Sequence, residues 1–147
     1  MFWRALPCLL AAIAGLSVTP ARAQVVSKDI HDDVSGPVEM CGIEAEDAVA
    51  LLAAIKRDGR FRAVDSGSDR FELFATEDHF VQWVATRPGE TAYPAVTCRR
   101  VYEENGAFMM KREMRCDASR EACDALFLEF QALDDRMSAE LGNPPKR

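Results

Sequence analysis

The chain is predicted to fold as an α+β domain: an antiparallel β-meander of about four to five strands, packed against an N-terminal and a long C-terminal α-helix and braced by two disulfides. Three observations lead there. Apolar residues recur at helical spacing in two stretches, Glu44 to Arg57 and Ser119 to Leu141. Between them, short apolar runs alternate with turn-forming clusters, the clearest being Asn105-Gly106. Four cysteines follow the N-terminal leader, and none of their spacings is C-x-x-C.

The leader comes first in the chain. Arg4 precedes an apolar run from Leu6 to Val18, and Pro20-Ala21-Arg22-Ala23 supplies an A-x-A pattern before Gln24, so residues 1–23 read as a cleaved secretory signal peptide. The run is broken by Pro7 and Gly15 and falls short of the ~20 residues a bilayer core requires, so no stable membrane anchor is expected after cleavage. Cys8 lies inside the run and leaves with it. Residues 24–40, with Asp29, His31, Asp32, Asp33, Ser35, Gly36 and Pro37, lack any apolar period and read as a flexible polar arm. Residues 41–142 form the single globular domain, and 143–147 are a disordered tail.

Within the domain, Ala45, Ala48, Val49, Leu52 and Ile55 mark the first helix, which Asp58-Gly59 stops. Phe61 to Val64 and Arg70 to Thr76 flank Asp65-Ser66-Gly67-Ser68-Asp69 and are expected to pair as a hairpin. His79 to Arg87 fits either period, but its aromatic and β-branched content favours a strand. The next hairpin runs from Ala95 to Glu104 and from Phe108 to Cys116. A three-residue loop, with Glu104 opposite Phe108, segregates its apolar and charged side chains best: Val96, Cys98, Tyr102, Phe108, Met110, Met114 and Cys116 share one face. Ser119 then caps the last helix, whose stripe is Cys123, Leu126, Phe127, Phe130, Leu133, Met137 and Leu141, and Gly142 with Pro144-Pro145 ends it. Both helices are expected on the apolar face of the sheet.

An even number of cysteines in an exported chain implies disulfides. Cys116 ends a strand and Cys123 opens a helix, so joining them staples one to the other, which favours Cys116–Cys123 with Cys41–Cys98 over the two other possible pairings.

Function is less legible. The formal charge is −6, and more negative once a leader carrying Arg4 and Arg22 but no carboxylate is removed, so no nucleic acid is expected as partner. No cofactor, metal or catalytic motif stands out. The acids and His31 of the arm read as solvated charge, and Ser66 or Ser68 beside Asp69 as turn chemistry rather than a triad. One anomaly follows from the expected register: Arg100 and Arg112 face each other on an otherwise apolar surface, where two guanidinium forks, with Tyr102 beside them, suit a planar anion. The expected function is therefore a non-enzymatic binding or accessory protein, periplasmic or secreted, in the bacterial envelope, with a protein partner there. The alternative is a small hydrolase or anion-binding protein using His79 or the Arg100/Arg112 pair.

Overall fold

The computed structural model describes residues 25–27 and 36–142. The leader, the C-terminal tail and Asp29, His31, Asp32 and Asp33 lie outside the described residues. In chain order the elements are β1 (Val25–Ser27), β2 (Val38–Met40), β3 (Ile43–Ala45), α1 (Ala48–Arg57), β4 (Arg62–Val64), β5 (Phe71–Ala75), β6 (Val81–Thr86), β7 (Ala95–Glu104), β8 (Ala107–Cys116) and α2 (Arg120–Gly142). Strands β4 to β8 form an antiparallel meander of five strands, and β1 adds to its outer edge parallel to β8. A separate two-stranded sheet pairs β2 with β3. The fold class is the one the sequence predicts. Two pieces of the stretch expected as a polar arm, β1 and β2, are strands.

The first helix is shorter than its apolar period suggests. Glu44 and Ala45 belong to β3 because Cys41 and Gly42, both at positive φ (48° and 79°), reverse the chain in a two-residue turn that pairs Met40 with Ile43. Asp47 then caps α1 by accepting the Ala50 N–H, and Asp58 closes it. A carboxylate from elsewhere in the chain completes the helix start: the Ala48 N–H donates to Asp117 Oδ2 at 2.6 Å. The buried residues of α1 are Ala48, Leu51 and Ile55. Fully burying Leu51 or Ile55 is worth about 1.5–3 kcal/mol each.

The two helices cover opposite faces of the sheet, not one face. Leu51 and Ile55 pack with Phe74, Trp83, Ala85, Val96 and Cys98, joined by Met40 and Ile43 of the small sheet. On the other face Leu126 and Phe130 of α2 meet Phe71, Val84, Ala95 and Met114. Neighbouring strand residues alternate between the two cores, as Trp83 and Val84 do, which is the two-residue period of a pleated strand. Segment 81–86 is thus a strand, as its composition favours.

That second layer explains why the expected hairpin register is wrong. Glu104 pairs with Ala107, so the loop is the two residues Asn105 and Gly106, at φ 52° and 77°. Two positive φ values in succession are what a right-twisted two-residue hairpin turn requires, and Asn-Gly meets that need with little strain. Segregating apolar from charged side chains presumes one dry and one wet face. Here both faces are covered, so both carry mixtures.

Both disulfides pair as the sequence predicts. Cys41–Cys98 (Cα–Cα 6.4 Å) ties the β2–β3 turn to β7 beneath α1, and Cys116–Cys123 (Cα–Cα 5.9 Å) ties the end of β8 to the first turn of α2. Ser119 caps α2, accepting the Ala122 N–H at 3.3 Å. No helix among the described residues is long and apolar enough to cross a membrane.

Candidate functional site

The one-residue register difference separates Arg100 from Arg112. Arg100 lies opposite Lys111 and is exposed; Arg99 takes its place opposite Arg112, on the face beneath α2. Tyr102 pairs with Met109 and keeps company with Arg100 on the other face, 36% exposed. So the expected cluster of Arg100, Arg112 and Tyr102 is not assembled, while a pair of facing arginines does exist one position away.

Both of these arginines are buried, Arg99 to 7% exposure and Arg112 to 3%. Their counter-ion is Asp134, fully buried on α2. It accepts from Arg112 through both oxygens, Nε to Oδ2 at 2.5 Å and Nη2 to Oδ1 at 2.7 Å, a two-pronged guanidinium–carboxylate match. Thr97 Oγ1 accepts a third Arg112 bond at 2.8 Å, and the guanidinium carbon stands 4.7 Å from the centre of the Phe130 ring. Each of the three Arg112 guanidinium nitrogens thereby has an acceptor.

Arg99 is less fully served. Asp134 reaches it with one oxygen at 3.4 Å from Nη1. Its other acceptors are neutral: the Gln82 amide oxygen on Nη2 and the Met137 thioether on Nη1. Its Nε has no acceptor among the described residues. Burial first, and then the Arg112 charge, press the Arg99 guanidinium below the ordinary arginine range, and Asp134 offsets this only in part. Two buried cations thus share one anion, and the carboxylate is spent on Arg112.

This imbalance sits on the wall of a cavity. Between α2 and strands β5 to β8 is a space of about 410 Å³, lined by Arg99 and Arg112, by Gln82, and by the apolar side chains of Phe71, Leu73, Val84, Phe130, Leu133 and Met137. That volume falls within the range of small-molecule sites, mostly apolar with a few placed polar groups. Ser66, Ser68, Glu129 and Arg136 complete its lining. Arg70 joins the turn before β5 to the helix by donating to both oxygens of Glu129, at 2.8 and 3.1 Å, while its Nε donates to Glu90. These two carboxylates raise the Arg70 pKa above its ordinary value.

Of the remaining sequence candidates only Ser66 and Ser68 reach this cavity, and they do so as turn residues on its wall. His79 is exposed on the turn between β5 and β6, at positive φ (60°), and Ser66 and Ser68 sit on the turn at the opposite end of β5. Ser66 Oγ donates to the Phe71 carbonyl at 2.9 Å, which is turn chemistry, not activation as a nucleophile. Among the described residues no three His, Cys, Asp or Glu side chains gather as a metal site.

Asp134 and Arg99 went unnoticed in the sequence, although Asp134 left a trace. It lies four residues after Phe130, on the very stripe that buries Leu126 and Phe130, where a lone carboxylate demands a cation across the interface. No protein-family model, curated protein or solved structure matches this chain, so the reading of the site rests on its own geometry.

Proposed function

We propose that this chain is an exported, disulfide-braced binding protein, periplasmic or secreted, that performs no covalent chemistry and holds an anionic small molecule between α2 and the sheet. The observation that carries the reading is the excess buried cation: Arg99, on a cavity wall, faces Arg112 and shares with it the one carboxylate that pairs with them among the described residues. An incompletely paired buried charge is costly, and a carboxylate brought by a ligand would offset that cost. Export is supported by the leader pattern of Met1 to Ala23, and two disulfides are compatible with it.

Two measurements test this. Protein recovered from cell fractions should begin at Gln24 with its four remaining cysteines blocked to thiol reagents; an intact leader with free thiols refutes the export half. Thermal unfolding at fixed ionic strength, in acetate, benzoate, decanoate, phosphate and sulfate and in neutral analogues of each, tests the other half. A ligand at a hundred times its Kd adds about 2.7 kcal/mol of stability. If no anion raises Tm above its neutral analogue, the site is not an anion site.

A further inference from the structure

The charge count and the apolar walls together narrow the ligand class. Resting on the anion-site reading above, we propose that the cavity takes an apolar monocarboxylate, its head on the Arg99 guanidinium and its body among Phe71, Leu73, Val84, Phe130, Leu133 and Met137. Of the buried charges, Arg99 and Arg112 against Asp134 leave one positive charge unmatched, and one carboxylate cancels it; the exposed Arg136 and Glu129, which also line the cavity, are opposite in sign. A phosphate dianion overshoots that count by one charge and carries it into a mostly apolar space. The planar fork of an arginine also matches a carboxylate edge to edge.

Size follows from volume. A space of about 410 Å³ is of small-molecule size, and a straight-chain acid such as decanoate is the probe of choice. The acceptors the ligand head would relieve are the weak ones: the Gln82 amide and the Met137 thioether. A carboxylate on Arg99 leaves the Asp134–Arg112 match untouched.

The test is titration calorimetry of the oxidised protein with decanoate, decanol, acetate and inorganic phosphate, with ligand-induced NMR shifts to locate binding. Decanoate is expected to bind, moving the Val84, Leu73 and Met137 methyl signals and the Arg99 Nε–H. Decanol, of equal length without charge, is expected to bind roughly tenfold or more weakly, the share a hydrogen bond to a charged group supplies. Arg99→Met is expected to lose that discrimination, and Arg99→Lys, which keeps the charge without the fork, to retain part of it. Decanol binding as tightly as decanoate overturns the inference, as does decanoate binding that leaves the Arg99 signal unmoved. Acetate or phosphate bound at Arg99 as tightly as decanoate also overturns it, yet leaves the anion-site reading standing. If no arm binds, both fall.

Discussion

Replacing Asp134 by Asn is the most informative perturbation of this fold. The side chain is fully buried and accepts two Arg112 bonds at 2.5 and 2.7 Å, with Arg99 at 3.4 Å from the same carboxylate. Asparagine keeps the shape and removes the one anion that, among the described residues, pairs with the two buried guanidinium groups. Breaking a buried ion pair from one side costs about 3–5 kcal/mol, because a charge is left in low dielectric without its partner. Arg99→Met is the control and should behave oppositely. It removes the excess cation, whose acceptors are otherwise an amide and a thioether, so stability is expected to stay within about 1 kcal/mol or to rise. Combining Asp134→Asn with Arg99→Met should recover about 1 kcal/mol or more of the single-variant loss, since the two sites touch and do not add. Urea unfolding of the oxidised protein, followed by Trp83 fluorescence and far-ultraviolet dichroism, measures all three. If Asp134→Asn costs under about 1 kcal/mol, or Arg99→Met costs as much as Asp134→Asn, the unequal sharing of this carboxylate is not what holds the α2 interface in register.

Further outcomes are open to measurement. Removing Cys41–Cys98, which spans 57 residues, should cost about 4 kcal/mol by chain entropy, against about 2.5 kcal/mol for Cys116–Cys123, which spans 7; equal losses in paired Cys→Ala variants contradict the ordering. Asp117→Ala deprives α1 of its second capping carboxylate, and a loss of about 1 kcal/mol is expected in urea melts, with faster amide exchange at Ala48 as the local sign. Hydrogen bonds from Thr76 Oγ1 (2.6 Å) and the Phe80 N–H (3.0 Å) hold the Asp78 carboxyl below its ordinary range. A lowered folded-state pKa means that the turn's stabilisation is complete above the ordinary value of about 3.9 and disappears as pH falls through the lower one. The Phe80 amide shift should therefore titrate with a midpoint below 3.9 and flatten in Asp78→Asn; a midpoint at or above 3.9 contradicts the assignment.

Local chemistry was legible because it is written over a few neighbouring residues. Ser119 before the last apolar stripe, Asp58-Gly59 after the first and the turn cluster 65–69 each act within their own segment, and each bounds an element where expected. The favoured cystine pairing is the one formed, since Cys116 and Cys123 lie at a strand end and a helix start, close enough along the chain to be joined. The start of α1 was not, because the same apolar period continues back through Ala45, while a positive-φ turn at Cys41 and Gly42 claims that residue for a strand.

Sequence alone indicated both helices and the five strands of the meander, where most of these end and the favoured pairing of the sulfurs, because turns, caps and periods depend on residues close along the chain. Only the tertiary structure decided that α1 and α2 lie on opposite faces of the sheet. That decision set everything at the candidate site. With both faces covered, charge segregation no longer indicates register, Asn105-Gly106 closes a two-residue turn, and Arg99 rather than Arg100 comes to face Arg112. Asp134 meets them from α2, 22 residues beyond Arg112 and 35 beyond Arg99. A counter-ion at that separation is chosen by how a helix lies on a sheet, which depends on packing summed over the whole interface and on no motif within it.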